Sequence, residues 1–480
     1  MPDPLDKIFV GEDVFKEKMD NLTLAIIRHG SPAGESVEVT SWKQVQQLVR
    51  AGLAQKVFSV GDKFIAEKES AITISSTNSN LSLSINAHTF IEKIGEAGNK
   101  DYEATYDGIE WRDGEQNIVL SQYGITINSG TPVEGDKILV HETATDIEFE
   151  VLDFDAETPV DNTRQHSMTL GMKYTFEGVQ FDAREAFFYN GTSAALAAGT
   201  YYFKVVAHSW ASGEVGKYIQ FTLTQDLPVG GQLVFTQDYN AAFAGKNIKV
   251  FASNSTKDSA PTETVAMSEG SSGTYLGELK NAFDTTTTNS SLQPYMNHCQ
   301  RAIMGNNNWA QSAIRQWANA NASKGTFWQP KNAWDRMPSW HDTSSGKDGF
   351  LYNLDPELVK VMGECVKTTE YASCDGSGRY TTNDKVWLYS REEIQSSSSS
   401  EAATYPPYKW WHNLLGDTYG DWRTDTRFIK RNTAGSAQYW WLRSPNTGDG
   451  YVARLVGPSG GVDGSGAIYG SQAVLVFAVI

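Results

Sequence analysis

The last eight residues, Ala473–Ile480, are apolar without exception: Ala-Val-Leu-Val-Phe-Ala-Val-Ile. A run of this kind reads as a strand buried on both faces, so neighbouring chain must cover it. It is the longest apolar run in the sequence and falls short of the roughly 18 residues that span a bilayer. An aromatic block, Tyr439-Trp-Trp-Leu-Arg-Ser-Pro445, precedes it. Between the two lies chain crowded with Gly, Ser, Asn and Asp, which can bury little. Polar chain held between packed elements is how a rigid frame presents a recognition surface.

A chain of 480 residues has room for about three domains. The 14 Trp, 21 Tyr and 42 Gly favour a β-rich, loop-rich protein over a helical bundle. The net charge of −17 comes without any cluster of Lys and Arg, which excludes nucleic acid and anionic membrane as partners. The charge serves solubility. Met1-Pro-Asp-Pro-Leu-Asp-Lys7 lacks a basic segment followed by an apolar core, so no signal peptide is expected. Cys299, Cys365 and Cys374 make no disulfide framework, which places synthesis in a reducing cytoplasm.

Several regions follow from the patterning. Residues 1–64 form an N-terminal segment with one helix. Ser41-Trp-Lys-Gln44 fits a capping box, Trp42, Val45, Leu48 and Val49 share a face, and Gly52 is the stop. Residues 65–145 read as a small β module, with alternation over Ala71–Ile85 and a hairpin signal at Asp107-Gly108. Residues 191–280 are again β-like. Short helices are expected in the C-terminal part. One carries Trp309, Ala313, Ile314 and Trp317 behind an Asn307 or Asn308 cap. One begins at Asp355-Pro356 and buries Leu358, Val361 and Met362. A third begins at the capping box Ser390-Arg-Glu-Glu393. Ser396–Ser400 reads as a surface loop. Tyr405–His412 reads as core cover, with a docking patch as the alternative.

Tests for chemistry return nothing. The eight histidines form no zinc-type pair, and His298-Cys299 are adjacent, poorly placed for catalysis. Nucleotide, phosphate and nucleophile-elbow motifs are missing. Asp375–Asp384 resembles a calcium loop but lacks its acidic spacing, which leaves a solvated turn. Asp153 and Asp155, two apart, share one side of a strand, as a polar edge or an acid/base pair. No catalytic residue, metal site or cofactor is expected.

Seven stretches together resemble a known family. They are Phe149–Pro159, His166–Leu170, Asn308–Asn319, Phe350–Pro356, Lys367–Thr369, Thr382–Lys385 and Tyr439–Pro445. In this order they look like structural proteins of phages and prophages of gut bacteria. Those carry a C-terminal domain of unknown function similar to the C-type lectin fold of formylglycine-generating enzymes. Trp42–Asp62 is similar to the region preceding that domain, and Tyr106–Val140 to a small repeat of phage fibres and virion proteins.

The resemblance implies an α+β, β-rich chain with a C-type-lectin-like C-terminal domain and inserted β modules. It implies that Phe149–Phe154 pairs with Ala473–Ile480, that residues 146–190 and 286–480 form one C-type-lectin-like domain, and that residues 191–285 are a β-rich insertion in it. Some proteins of this kind are diversified by retroelements on a C-terminal platform, and the corresponding ligand-binding candidates are Asn446, Asp449, Tyr451, Arg454, Asp463, Ser465, Tyr469 and Ser471. Trp440 and Trp441 are core, and Arg443 clamps a loop through backbone carbonyls. The alternative is an ordinary glycine-rich loop. The reactive cysteines and metal chemistry of formylglycine-generating enzymes have no counterpart at the three cysteines, so their activity is not carried over. The expected protein is a virion appendage of tail- or head-fibre type, without catalysis or membrane insertion. Its partners would be a host-surface glycan or protein and other virion proteins, in a homo-oligomer such as a trimer. A purely structural decoration protein and a cell-wall or capsule glycan-degrading enzyme are the alternatives.

Overall fold

The computed structural model describes residues 41–95, 97–185, 188–189, 193–204, 218–223, 225–235, 246–251, 263–270, 301, 304–332, 335–376, 378–396, 406–416 and 425–480. His298, Cys299, Tyr405 and Ser397–Ser400 lie outside the described residues, as do residues 1–40 of the N-terminal segment.

Helix α1 (Trp42–Arg50) starts where Ser41 accepts the Gln44 amide, and Gly52 ends it at a φ of 66°. Trp42, Val45, Leu48 and Val49 are all buried. A small unit follows, built from β1 (Lys63–Ser76), β2 (Ser82–Ile85), α2 (Ala87–Ile94), β3 (Lys100–Tyr106), β4 (Trp111–Asp113), β5 (Gln116–Ile118) and β6 (Ile125–Ser129). It has a core of its own, centred on Phe90, Trp111, Ile125 and Ile138. The Asp107-Gly108 hairpin is present: Tyr106 pairs with Trp111, and Asp107 accepts the amides of Ile109 and Glu110. The alternation over Ala71–Ile85 is carried by two strands, because Asn78 makes a turn between β1 and β2 by accepting the Asn80 amide.

Strand β7 (Lys137–Phe154) runs unbroken for 18 residues, across residues 145 and 146. At the usual rise it is about 60 Å long. β1 lies along one edge, from Ile138 to Glu150. On the other edge β3 pairs with Lys137–Glu142, and β8 (Met168–Met172) with Phe149–Phe154. Ile138 and Val140 point into the small core, and Ile147, Phe149 and Val151 into the large one. The two units therefore share a strand.

Beyond β8 come β9 (Gly178–Gln180), β10 (Phe188–Tyr189) and five strands of the insertion: β11 (Gly199–Lys204), β12 (Tyr218–Leu223), β13 (Gln232–Phe235), β14 (Lys246–Phe251) and β15 (Glu263–Gly270). The five form one sheet with β10, which precedes the expected bounds of the insertion. The C-terminal part contains α3 (Ala313–Ala318), α4 (Pro356–Val361), β16 (Cys365–Glu370), β17 (Arg379–Asp384), β18 (Val386–Leu388) and α5 (Lys409–Leu415). It ends with β19 (Trp440–Pro445), β20 (Val452–Val456), β21 (Val462–Gly466), β22 (Gly470–Gln472) and β23 (Leu475–Val479). The chain is thus β-rich with short helices. Among the described residues no helix is long and apolar enough to cross a membrane.

Several expectations are corrected. Phe149–Phe154 does not pair with the C-terminal strand. β8 is itself buried throughout and takes the middle place, giving the order β18-β23-β8-β7. Asp153 and Asp155 do not share a face. The strand ends at Phe154, and Asp155 lies past it at a φ of 56°. Helix α3 is capped by Ser312 rather than Asn307 or Asn308. The Ser390 capping box forms both of its hydrogen bonds, yet the chain makes only a turn, since Gln395 adopts a φ of 58°. Asp375–Asp384 is not a single solvated turn. Its second half is β17, and buried Asp384 accepts from Trp309, Arg315 and Thr382. Ser396 is buried rather than exposed. As expected, Tyr408 and Trp411 are core, and so are Trp440 and Trp441.

The large core contains a charged layer. Lys367 on β16 bonds Glu157 at 2.7 Å and Glu393 at 2.8 Å, and its ammonium lies 4.5 Å from the Trp387 ring centre. Arg443 on β19 grips both oxygens of Glu393 and donates to the Leu388 carbonyl at 2.7 Å. The Tyr408 hydroxyl donates to Glu157 at 2.7 Å. Burial alone would raise the Glu393 carboxyl, but Arg443 and Lys367 outweigh it and hold the group well below the usual range. Replacing Glu393 by Gln, or Arg443 by Met, strands an opposite charge in the core. Each should cost about 3–5 kcal/mol in urea unfolding, and a cost under about 1 kcal/mol would show that the layer contributes little.

Candidate functional site

The segment 446–471 is hung between two anchored strands. Trp440 donates through its indole to the Phe428 carbonyl and Trp441 to the Val179 carbonyl, at 3.2 and 2.8 Å. The sheet runs in the order β21-β20-β19-β22-β9, which leaves β21 as an edge strand.

The first turn of the segment is pulled inward. Asn307, fully buried, donates to the carbonyls of Asn446, Asp449 and Val452 at 3.3, 2.7 and 2.9 Å. Arg301 donates to the Gly450 carbonyl at 2.7 Å, while its other nitrogens hold Asp375 at 2.9 and 2.7 Å. Asn446 and Asp449 bond each other at 3.0 Å, and Asn446 also accepts the Gly448 amide. Burial raises the Asp449 carboxyl, with Arg454 opposing. These two candidates shape the turn.

Tyr451 and Ser471 are corrected as contact residues, since each is only 5% exposed. Tyr451 is carried inward by the clamped turn, and its carbonyl accepts the Ala467 amide. Ser471 sits on β22 opposite Val179 of β9, and the alternation of that strand turns it into the core.

The remaining candidates converge on the hairpin β20–β21. Arg454 pairs in register with Gly464 and is half-buried. A side chain at 464 would lie 2.4 Å from Val452, so the glycine lets the hairpin carry Val452 and Arg454 across it. Asp463 is exposed and Ser465 half-exposed. Two apart on one strand, they share a face. Tyr469 is 42% exposed and packs near Gly466 at one end of β21. The other end has a tyrosine that the pattern did not flag. Tyr439, 55% exposed, comes near Gly457. Its position just before two core tryptophans concealed it, because an aromatic block reads as core throughout.

Two tyrosines thus flank the ends of an edge strand of five residues, roughly 16 Å at the usual rise; Tyr469 lies on the side of Gly466, and alternation turns Asp463 and Ser465 to the other face. Tyr and Arg offer contact area and charge-assisted bonds, and Ser and Asp offer adaptable hydrogen bonds. Among the described residues no group of three or more His, Cys, Asp and Glu is placed to hold a metal ion.

Beneath the segment lie two buried acids. Asp182 donates its amide to the Ala467 carbonyl, and Glu185 donates its amide to the Arg301 carbonyl. Burial, then Asp335 and Glu185, raise the Asp182 carboxyl well above its usual value. Burial raises Glu185 to about 7 against the pull of Arg301.

Residues 282–477 match the family described as Domain of unknown function (DUF6273), a stretch that includes the whole platform. No curated protein and no solved structure matches the chain.

The footing of the platform should respond to pH. Glu185 has a folded value above its ordinary one, so its stabilisation is full at acid pH and is lost as pH rises through about 7. The loss is at most about 3 kcal/mol. The melting temperature should therefore fall between about pH 4.5 and 7.5, the interval from the ordinary value to the folded one. In Glu185→Gln, which keeps the acceptor for Asn306, it should fall much less. Equal slopes would rule Glu185 out as the cause.

Proposed function

We propose that this chain is a phage virion appendage protein of tail- or head-fibre type, and that its C-terminal domain is C-type-lectin-like. In this reading the domain binds a host-surface glycan or protein through the edge strand β21, and it does so without catalysis. The observation that carries the binding half is the pair Tyr439 and Tyr469, exposed at either end of the strand that carries Asp463 and Ser465, on a frame whose supporting turn is clamped by Arg301 and Asn307. Large exposed aromatics on a rigid base lose little entropy on contact. The virion half rests on the ordered resemblance of seven sequence stretches.

The second reading, a structural decoration protein, draws on the same strand. An unpaired edge can add a strand from another subunit as readily as it can meet a receptor.

The test is binding of the labelled chain to intact cells of a panel of gut bacteria. The comparison is a variant carrying Tyr439→Ala, Asp463→Ala and Tyr469→Ala, all at exposed positions. Binding by the native chain and a loss of at least about tenfold in the variant, roughly 1.4 kcal/mol, supports the receptor reading. Undiminished binding moves the site elsewhere on the molecule. If neither protein binds any cell, the decoration reading takes its place.

A further inference from the structure

A second concave surface lies away from the platform. It is a cleft of about 700 Å³ where β1, β7, the β8–β9 connection and two loops meet. That volume is within the range of small-ligand sites, roughly 300–1,000 Å³. The loop 340–348 is tightly built: Lys347 donates its amide to the Trp340 carbonyl at 2.7 Å, and Asp342 accepts the amides of Ser344 and Ser345. A Cβ at Gly346 would lie 2.1 Å from the Asp342 carbonyl oxygen, so only glycine allows this path. On the other side Thr175 donates its amide to the Arg431 carbonyl, beside a turn closed by Asn432 accepting the Ser436 amide. The cleft is preformed.

Its chemistry is mixed in sign. Lys68 comes from β1, and its ammonium donates to the carbonyls of Phe350 and Tyr352. Lys347 bonds Glu177 at 2.7 Å, joining the loop to the β8–β9 connection. Five carboxylates and two ammonium groups line the space. An anionic ligand meets a net negative surface of carboxylates with two ammonium groups among them. A hydroxyl suits both, since it donates to a carboxylate and accepts from an ammonium. Phe176 and Trp340 add apolar faces.

We propose that this cleft is a saccharide-binding site, selective for neutral, hydroxyl-rich oligosaccharides over anionic ones. It is independent of the platform: none of the platform residues lines it.

The experiment uses saturation-transfer NMR on the full chain. The probes are maltotriose, cellotriose and N-acetylchitotriose as neutral sugars, with 3′-sialyllactose as the anion. At least one neutral trisaccharide should bind saturably, with a dissociation constant between about 0.1 and 10 mM, and 3′-sialyllactose should not compete. The double variant Glu177→Ala, Lys347→Ala alters two partly exposed side chains and should weaken binding by about tenfold or more with an unchanged melting temperature. The platform variant Tyr439→Ala, Asp463→Ala, Tyr469→Ala should bind the sugar as the native chain does. Failure of all three neutral probes overturns the proposal. So does equal binding of 3′-sialyllactose, or binding that survives the Glu177 and Lys347 changes. None of these results bears on cell binding through β21.

Discussion

The C-terminal domain depends on the grip of Arg443 on Glu393. Around that pair, Lys367, Glu157 and Tyr408 complete a fully buried layer in which two cations face two anions. The partners come from β16, β19, the turn after β18, the approach to α5 and the chain after β7. A charge left unpaired in such a place is far more costly than the pair is favourable. These segments can therefore be assembled in very few ways, and apolar packing alone would tolerate more. The layer sets β18 and β19 side by side, so that the aromatic block Tyr439–Trp441 enters the core in one register.

The long strand β7 gives the molecule its second constraint. It contributes Ile138 and Val140 to one core and Phe149 and Val151 to another. Glu142, fully buried near the point where the strand passes from one core to the other, has its carboxyl raised by burial. β1 braces the strand along most of its length. The small β unit is thus built onto the edge of the larger sheet, and a force on one is felt by the other through paired backbone. The sugar cleft proposed above uses this spine, with Lys68 on β1 and Glu148 on β7 both lining it.

The platform shows how burial divides a polar segment. Eight candidates with similar side chains separate into three groups. Asn446 and Asp449 bond each other to make the turn, Tyr451 and Ser471 go inside, and Arg454, Asp463, Ser465 and Tyr469 remain around the hairpin. The division comes from below, from Arg301 and Asn307, which lie more than a hundred residues earlier in the chain. Their donors need carbonyl acceptors, and the turn 446–452 supplies them.

Local signals were legible in the sequence. The Ser41 cap, the Asp355-Pro356 start, the Asp107-Gly108 hairpin and the buried run at the C-terminus each depend on residues near in sequence, whose preferences are set by sterics, capping and period. What the chain's pattern could not decide were matters of distant partnership. Whether β7 meets β23 or β8 depended on which of three buried strands takes the centre, and their compositions are alike. The Ser390 box made its bonds and still produced no helix, because propagation depends on the neighbouring packing more than on the cap. Asp155 parts from Asp153 because the strand ends at Phe154 and Asp155 takes a positive φ. The exposure of Tyr439 and the burial of Tyr451 reverse what their sequence neighbours suggest. An aromatic ring goes where its strand face and its clamps direct it, and only the assembled sheet and the buried charges beneath it set that direction.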